Sequence, residues 1–235
     1  MSAPASSLLT VNIVSRMRDD PALRPNAPRQ RRLQTGIDKR PVERPVTLRR
    51  LGVDGDRIGD LRVHGGPDQA VYAYAIEDTE WWQREVGPEL AFPLAPGSFG
   101  ENLTVRGVDV TNSLIGERWR IGSAVLQVTS PRTPCTTFAG FWGVHKLIKR
   151  FVRAQRPGAY LRVLTEGTVR AGDEVTVLDR PAHGVTLAEA FRALNGDLAA
   201  AERVILVPEL PSRARARLNR RLAGAAEQSP AQRLF

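Results

Sequence analysis

The sequence predicts a mainly β fold with peripheral helices: a closed, mostly antiparallel barrel followed by a small three-helix appendage. Three observations carry that expectation. Short runs rich in apolar and β-branched residues recur from Leu9 to Leu178, separated by glycine- and proline-containing turns. Only two or three helical stretches interrupt them, too few for the strand–helix alternation of a parallel sheet. After Arg180-Pro181 the character changes to helices with capping signals.

Taken in order, Leu9 to Val14 alternates and reads as the first strand. Asp19 to Arg32 is rich in proline and arginine without periodicity and reads as a loop. Thr35 to Val42 and Val46 to Leu51 are two short β-like pieces, and Pro41 and Pro45 keep the chain between them at an edge or in a connection. Ala70 to Ile76 is a buried strand, and Glu77 to Val86 is a helix carrying Trp81 and Trp82. The run Trp119 to Thr129 has the most strand-like composition in the chain and is expected as one strand, halted by Pro131 and Pro134. An aromatic stretch from Phe138 to Gly143 precedes a helix from Val144 to Ala154, and Gly158 to Leu164 and Glu174 to Leu178 complete the strands.

Beyond them, Thr186-Leu187-Ala188-Glu189 has capping-box spacing and starts a helix. Asn195-Gly196 ends it, Asp197 caps a second helix running to Val207, and Ser212 is placed to cap an arginine-rich third. The expected organisation is a barrel domain over 1–181 with its core at about 8–181, a three-helix unit over 182–224 and a tail over 225–235. His183 falls at the junction and reads as structural.

Composition narrows the function classes. One cysteine in 235 residues excludes an internal disulfide. The N-terminal residues have neither the basic cluster nor the uninterrupted apolar run of a signal peptide or membrane span, so a cytoplasmic setting without membrane association is expected. Of the net charge of +9, more than half comes from the five arginines between Arg213 and Arg221. That run reads as a solvated helix face or a docking face for an acidic partner. No zinc-finger spacing or RNA-binding pattern accompanies it, which argues against specific nucleic-acid binding. GxGxxG and GxxxxGK[ST] are both absent, which argues against the two common nucleotide loops.

The candidate chemistry sits in four loops. Ser130-Pro131-Arg132-Thr133-Pro134-Cys135 presents the lone thiol from a stiffened turn close to a cation that favours thiolate, although a lone cysteine is also a common small core residue. His64-Gly65-Gly66 places an imidazole at a permissive turn, either as a functional group or as a plain polar turn residue. Gly100-Glu101-Asn102-Leu103 sets an acceptor beside a mixed donor–acceptor, suited to a polar heterocycle or to a capped hairpin. Thr35-Gly36-Ile37 leads to Lys39 and Arg40, which either contact an anion or lie in solvent.

Read together, in this order and followed by three helices, these four motifs resemble the MOSC domain family, named for the C-terminal domain of molybdenum cofactor sulfurase, and within it the YiiM-type branch. The likeness spans about Leu8 to Ala223. It implies a β-barrel that binds molybdenum cofactor, with Cys135 as the metal-ligating thiolate. It makes Lys39, Arg132, Thr133, Pro134 and Thr136 cofactor-binding candidates, together with His64, Gly65, Gly66, Glu101 and Asn102. His64 and Glu101 are the candidate proton relays beside Cys135 in catalysis. The implied reaction is two-electron reduction of N-hydroxylated compounds such as hydroxylaminopurines, amidoximes or hydroxamic acids, with a separate reductase as electron donor. A sulfur or cofactor carrier using Cys135 without turnover is the alternative. One departure stands out: YiiM-type sequences often follow the cysteine with an aromatic residue and a lysine, where this chain has Thr136 and Thr137.

Overall fold

The structure, a computed structural model, describes residues 6–19, 34–61 and 64–227. Its first half contains β1 (Ser7–Val14), β2 (Arg18–Asp19), β3 (Gln34–Thr35), β4 (Lys39–Val42), β5 (Val46–Arg49), β6 (Gly52–Val53), β7 (Val71–Ala75), helix α1 (Ile76–Val86) and β8 (Leu103–Arg106). There follow β9 (Arg118–Ile121), β10 (Ala124–Pro131), helices α2 (Thr136–Trp142) and α3 (Leu147–Ala154), then β11 (Ala159–Thr165), β12 (Gly167–Val169) and β13 (Val175–Asp179). Three helices close the described chain: α4 (Leu187–Asn195), α5 (Leu198–Val204) and α6 (Ser212–Glu227).

Eight strands form one sheet in the order β13-β9-β10-β11-β7-β8-β1-β4, and β12-β5-β6 form a smaller one. Every pairing in the large sheet is antiparallel except β7 with β8. A parallel pair needs a crossover. Here α1 and the loop to Leu103 provide it. The sheet also returns on itself. Leu8 donates its N–H to the Asp173 carbonyl (2.8 Å), Gly172 donates to the Leu8 carbonyl (2.8 Å), and Ser7 bridges Glu174 at the start of β13. The fold is thus mainly β with peripheral helices, as the sequence predicts.

Side-chain alternation distributes the strands between two cores. In β7, Val71, Ala73 and Ala75 enter the aliphatic core with Leu103, Leu126, Val128 and Leu161. Tyr72 and Tyr74 enter a second, aromatic core with Trp82, Phe99, Phe138, Trp142 and Phe151. This is why all five residues of β7 are buried. Helices α1, α2 and α3 cover that second face, and their aromatic rings interlock: Phe151 stacks on Trp82 at 5.6 Å and meets Phe138 edge-on at 5.4 Å.

The last three helices share the aliphatic core rather than standing apart, through Leu187, Ala190, Ala201, Val204 and Leu218. Backbone bonds from Leu187 to Ser113 (2.9 Å) and from Ala188 to Thr111 (3.0 Å) fix α4 to the body. The capping signals act as read: Thr186 Oγ1 accepts from Glu189 N (3.1 Å) and Asp197 Oδ1 from Ala200 N (3.0 Å). His183 accepts at Nδ1 from Val185 N (2.9 Å), a structural contact at the junction.

The local reading needs correction in several places. Trp119 to Thr129 is two strands of a hairpin, with Gly122-Ser123 as the turn between β9 and β10. The apolar flanks on both sides of that short signal make it read as continuous. Thr136–Trp142 is a helix that the aromatic composition conceals, and the next helix starts at Leu147 instead of Val144. The second appendage helix ends at Val204, followed by tighter turns from Leu206 to Arg203 and Val207 to Val204. Ser212 is the first residue of α6, and the Pro211 carbonyl accepts its first helical bond from Arg215 N.

Two of the five arginines turn back onto neighbouring helices. Arg215 binds the Ile205 and Val207 carbonyls beyond α5, and Arg217 binds the Leu194 carbonyl near the end of α4 (2.9 Å), so each satisfies exposed helix-end acceptors. Asp19 marks the edge of the described chain, and the rest of the predicted 19–32 loop and the tail beyond Glu227 lie outside the described residues.

Candidate functional site

The four loops singled out in the sequence converge on one cavity of about 900 Å³. Its walls come from Thr35 to Ile37 with Lys39, from the segment around Asp56 to Leu61, and from His64, Gly65 and Gln69. Phe99, Gly100 and Asn102, and then Arg132, Cys135, Thr137, Tyr72 and Tyr160, complete it. Gly36 has a steric reason to be glycine. A Cβ there would stand 2.3 Å from the Arg57 carbonyl oxygen, so any side chain would push apart the two loops that form the rim.

On one side of the cavity lies a buried polar unit. Lys39 is 8% exposed and pairs its Nζ with Asp56 Oδ2. The same carboxylate accepts from Asn102 Nδ2 (2.8 Å) at Oδ2 and from Val14 N (2.9 Å) at Oδ1. Asn102 also donates to the Asn12 carbonyl (3.3 Å) and accepts from Tyr72 N (3.2 Å), so its amide joins β1, β7 and Asp56. Gly97, with φ +92°, holds the loop above this unit. A Cβ at that position would meet the Lys39 carbonyl oxygen at 2.4 Å.

Burial lowers the Lys39 pKa below the ordinary 10.5, against the opposing pull of Asp56 and Glu101. The folded protein therefore gives up this proton more readily than the unfolded chain. Stability gains a contribution as pH rises through the alkaline window from the lowered value to 10.5, because there the unfolded state binds more protons. Comparing denaturant unfolding of the native chain with Lys39→Met between pH 8 and about 10.5 should show the difference growing in favour of the native chain as pH rises. A difference that stays flat or shrinks would refute this reading.

On the other side lie Arg132, Cys135 and two tyrosines. The register sets them together, since Ser130 pairs with Tyr160 and Tyr160 with Tyr72 across β10, β11 and β7. Arg132 is 7% exposed, and its guanidinium lies over the Phe138 ring at 4.2 Å and near the Tyr72 ring at 5.6 Å. Its Nη1 is buried with no hydrogen-bond partner among the described residues. Cys135 is half-buried, caps α2 in an extended conformation, and is close enough for its charge to bear on Arg132 and Tyr160. Burial raises the pKa of both Tyr72 and Tyr160 despite the nearby Arg132 cation, so both phenols keep their protons at neutral pH.

Of the residues expected at a site, Lys39, His64, Gly65, Asn102, Arg132 and Cys135 line this cavity. Gly66, Glu101, Thr133, Pro134 and Thr136 do not, whereas Thr137 does. Glu101 is fully buried and committed to its own loop: its carboxylate accepts from Gly97 N (2.6 Å), Phe99 N (3.0 Å) and Thr104 Oγ1 (2.9 Å). Burial raises its pKa against those three donors. The sequence reading missed Asp56, Gln69, Tyr72 and Tyr160. Alternation in the buried strand at Val71–Ala75 does put Tyr72 and Tyr74 on one face, but nothing in the sequence says which face meets a cavity.

Comparison with known proteins gives the family of the chain and its fold. The MOSC domain family model matches residues 60–176. The uncharacterized protein YflK of Bacillus subtilis is 38% identical over 178 residues, covering 74% of this chain and 79% of that protein. Protein YiiM of Escherichia coli is 31% identical over 156 residues, covering 66% and 69%. A protein of Gibberella moniliformis named "Reductase" is 32% identical over 150 residues, 63% of this chain but 26% of its own length. The crystal structure of YiiM from Geobacillus stearothermophilus superposes with a TM-score of 0.72 at 25% identity, covering 92% of this chain and 99% of that one.

Proposed function

The chain belongs to the MOSC domain family, and from that premise we propose that it is a molybdenum-cofactor-binding oxidoreductase that reduces N-hydroxylated compounds. The observation that carries the reading is the pairing, in one cavity, of a half-buried thiol at Cys135 with a buried guanidinium at Arg132 whose Nη1 lacks a partner among the described residues. An unsatisfied buried cationic donor costs free energy unless an anion completes it. The cavity is also large enough for a pterin-sized group.

Among the described residues no three His, Cys, Asp or Glu side chains are grouped to hold a bare metal ion. A metal bound through Cys135 would thus take its remaining ligands from a cofactor, which suits soft dithiolene coordination. When bound, that cofactor would supply two-electron redox chemistry and an acceptor for the substrate's N–O oxygen. In the overall balance, a hydroxylamino compound takes up two electrons and two protons and yields the amine and one water.

The chain's own residues have separate duties in this proposal. Cys135 holds the metal as a thiolate. Arg132 grips an anionic group of the cofactor, a task suited to its planar fork. Lys39 adds a second, more compact cation whose charge Asp56 partly offsets. His64, exposed at the rim, is assigned in this reading to carry protons between solvent and the reacting oxygen. Glu101 organises the Gly97–Asn102 loop and is removed from that relay by its three internal donors.

Electrons are proposed to come from a separate reductase. The exposed Arg213 and Arg220 on α6 provide a basic face for an acidic partner. The relative named "Reductase" matches over only a quarter of its length, so in that protein the corresponding segment belongs to a much longer chain. No helix among the described residues is long and apolar enough to cross a membrane.

The test is molybdenum per chain in protein purified from a host that makes the cofactor, followed by reduction of 6-hydroxylaminopurine with a chemical electron donor. Near-stoichiometric molybdenum with repeated turnover supports the enzyme. Molybdenum that leaves to an acceptor without turnover would replace it with the carrier.

A further inference from the structure

Gln69 takes no part in the function just described, yet it lines the same cavity, and its side-chain oxygen Oε1 is buried without a hydrogen-bond partner among the described residues. The turn that carries it is held rigidly. Gln69 N donates to the Gly66 carbonyl (3.0 Å). The preceding Asp68 is fixed twice: its carboxylate accepts from Arg162 Nε (2.8 Å), and its carbonyl accepts from Thr129 Oγ1 (2.6 Å). Arg162 is braced in turn by Gln127 Oε1 (2.9 Å). This network fixes the backbone from which the Gln69 side chain projects, and a buried acceptor left open is a standing cost that a ligand's donor removes.

We propose that the Gln69 carbonyl is a specificity-determining acceptor that reads an N–H on a carbon flanked by nitrogen, the amino-on-C=N edge shared by aminopurines, amidines and pterins. The inference deepens the reading of the cavity as a site for a nitrogen-rich ligand and rests on it. Arg132, with an open donor, and Gln69, with an open acceptor, together offer the cavity both polarities. An apolar or purely anionic ligand would satisfy at most one of them. The edge can belong to the substrate or to the resident cofactor, and the experiment separates the two.

The experiment uses the full chain purified from a cofactor-making host, as native, Gln69→Leu and Gln69→Glu proteins. Molybdenum per chain is measured, and adenine and its N,N-dimethylated analogue, which has no exocyclic N–H, are titrated calorimetrically. If Gln69 reads the substrate, the native protein prefers adenine by about tenfold, the value of one good hydrogen bond. Gln69→Leu then loses the preference at unchanged molybdenum, while Gln69→Glu, which keeps an acceptor, retains it. If Gln69 reads the cofactor, Gln69→Leu loses molybdenum severalfold while Gln69→Glu keeps it. The proposal is overturned if Gln69→Leu changes neither quantity, or if Gln69→Glu fails alongside it. Should the native protein carry no molybdenum, the functional reading fails separately, and the adenine preference still tests Gln69.

Discussion

Cys135→Ala is expected to abolish molybdenum retention while leaving the fold intact. Cys135 supplies the cavity's one thiol, the other soft atom of its lining being the Met17 thioether, a weaker ligand that carries no charge, and the buried cations Arg132 and Lys39 do not bind a metal. Disturbing the groups that merely support a metal ligand costs roughly 10–100-fold in affinity or activity, so removal of the ligand should exceed about 100-fold. Cys135 is only half-buried and carries no cap through its side chain, so the thermal midpoint should move by no more than a few degrees. The measurements are molybdenum by mass spectrometry, 6-hydroxylaminopurine turnover and a thermal melt on the same preparations. Full molybdenum in the alanine variant would end the role assigned to this residue.

Phe151→Ala should bring the largest loss of stability among single changes in the helical layer, about 3–5 kcal/mol by the usual cost of emptying an aromatic core site. The ring is fully buried and touches four elements at once: Trp82 of α1, Phe138 of α2, Phe191 of α4 and its own helix α3. Small domains have a total stability of about 5–15 kcal/mol, so the variant should sit near the edge of folding at about 37 °C. Urea unfolding reads this directly, and a midpoint shift equivalent to less than about 1 kcal/mol would contradict it. Because Phe138 belongs to α2, which begins right after Cys135, the folded fraction should also hold molybdenum less tightly than the native protein.

Much of this molecule was legible in its sequence, for identifiable reasons. The capping oxygens of Thr186 and Asp197 act within three residues, so local spacing decides them. The four loops were visible because glycine and proline leave strong local marks. What escaped depended on tertiary placement. Asp56 gives no local signal of its own, since its role depends on β1, Asn102 and Lys39 closing around it. Glu101 had the composition of a reactive group, yet its neighbours' backbone donors take up its oxygens. Gly122-Ser123 was hidden by the apolar residues on either side, and α2 by rings that give no helical signal until their packing partners are known. A solvated face describes Arg217, which is exposed even while it bonds Leu194, but not the half-buried Arg215, because sequence alone does not show which carbonyls another helix leaves open.

The return of the first strand to the last has a bearing on how the chain is made. As the polypeptide leaves the ribosome, β1 emerges before the other described strands, and its partners are β4, β8 and the segment 172–175. Pairing with β4 becomes available first and pairing with β8 next, whereas the seam at Leu8 waits until Asp173 has been made. Until then the first residues of β1, which β4 does not reach, have β8 on one side only, and such open edges invite pairing with other chains. Chaperone dependence and inclusion-body formation during rapid expression are therefore expected to trace to the open start of β1 at Ser7 and Leu8, and not to the chemistry of the cavity.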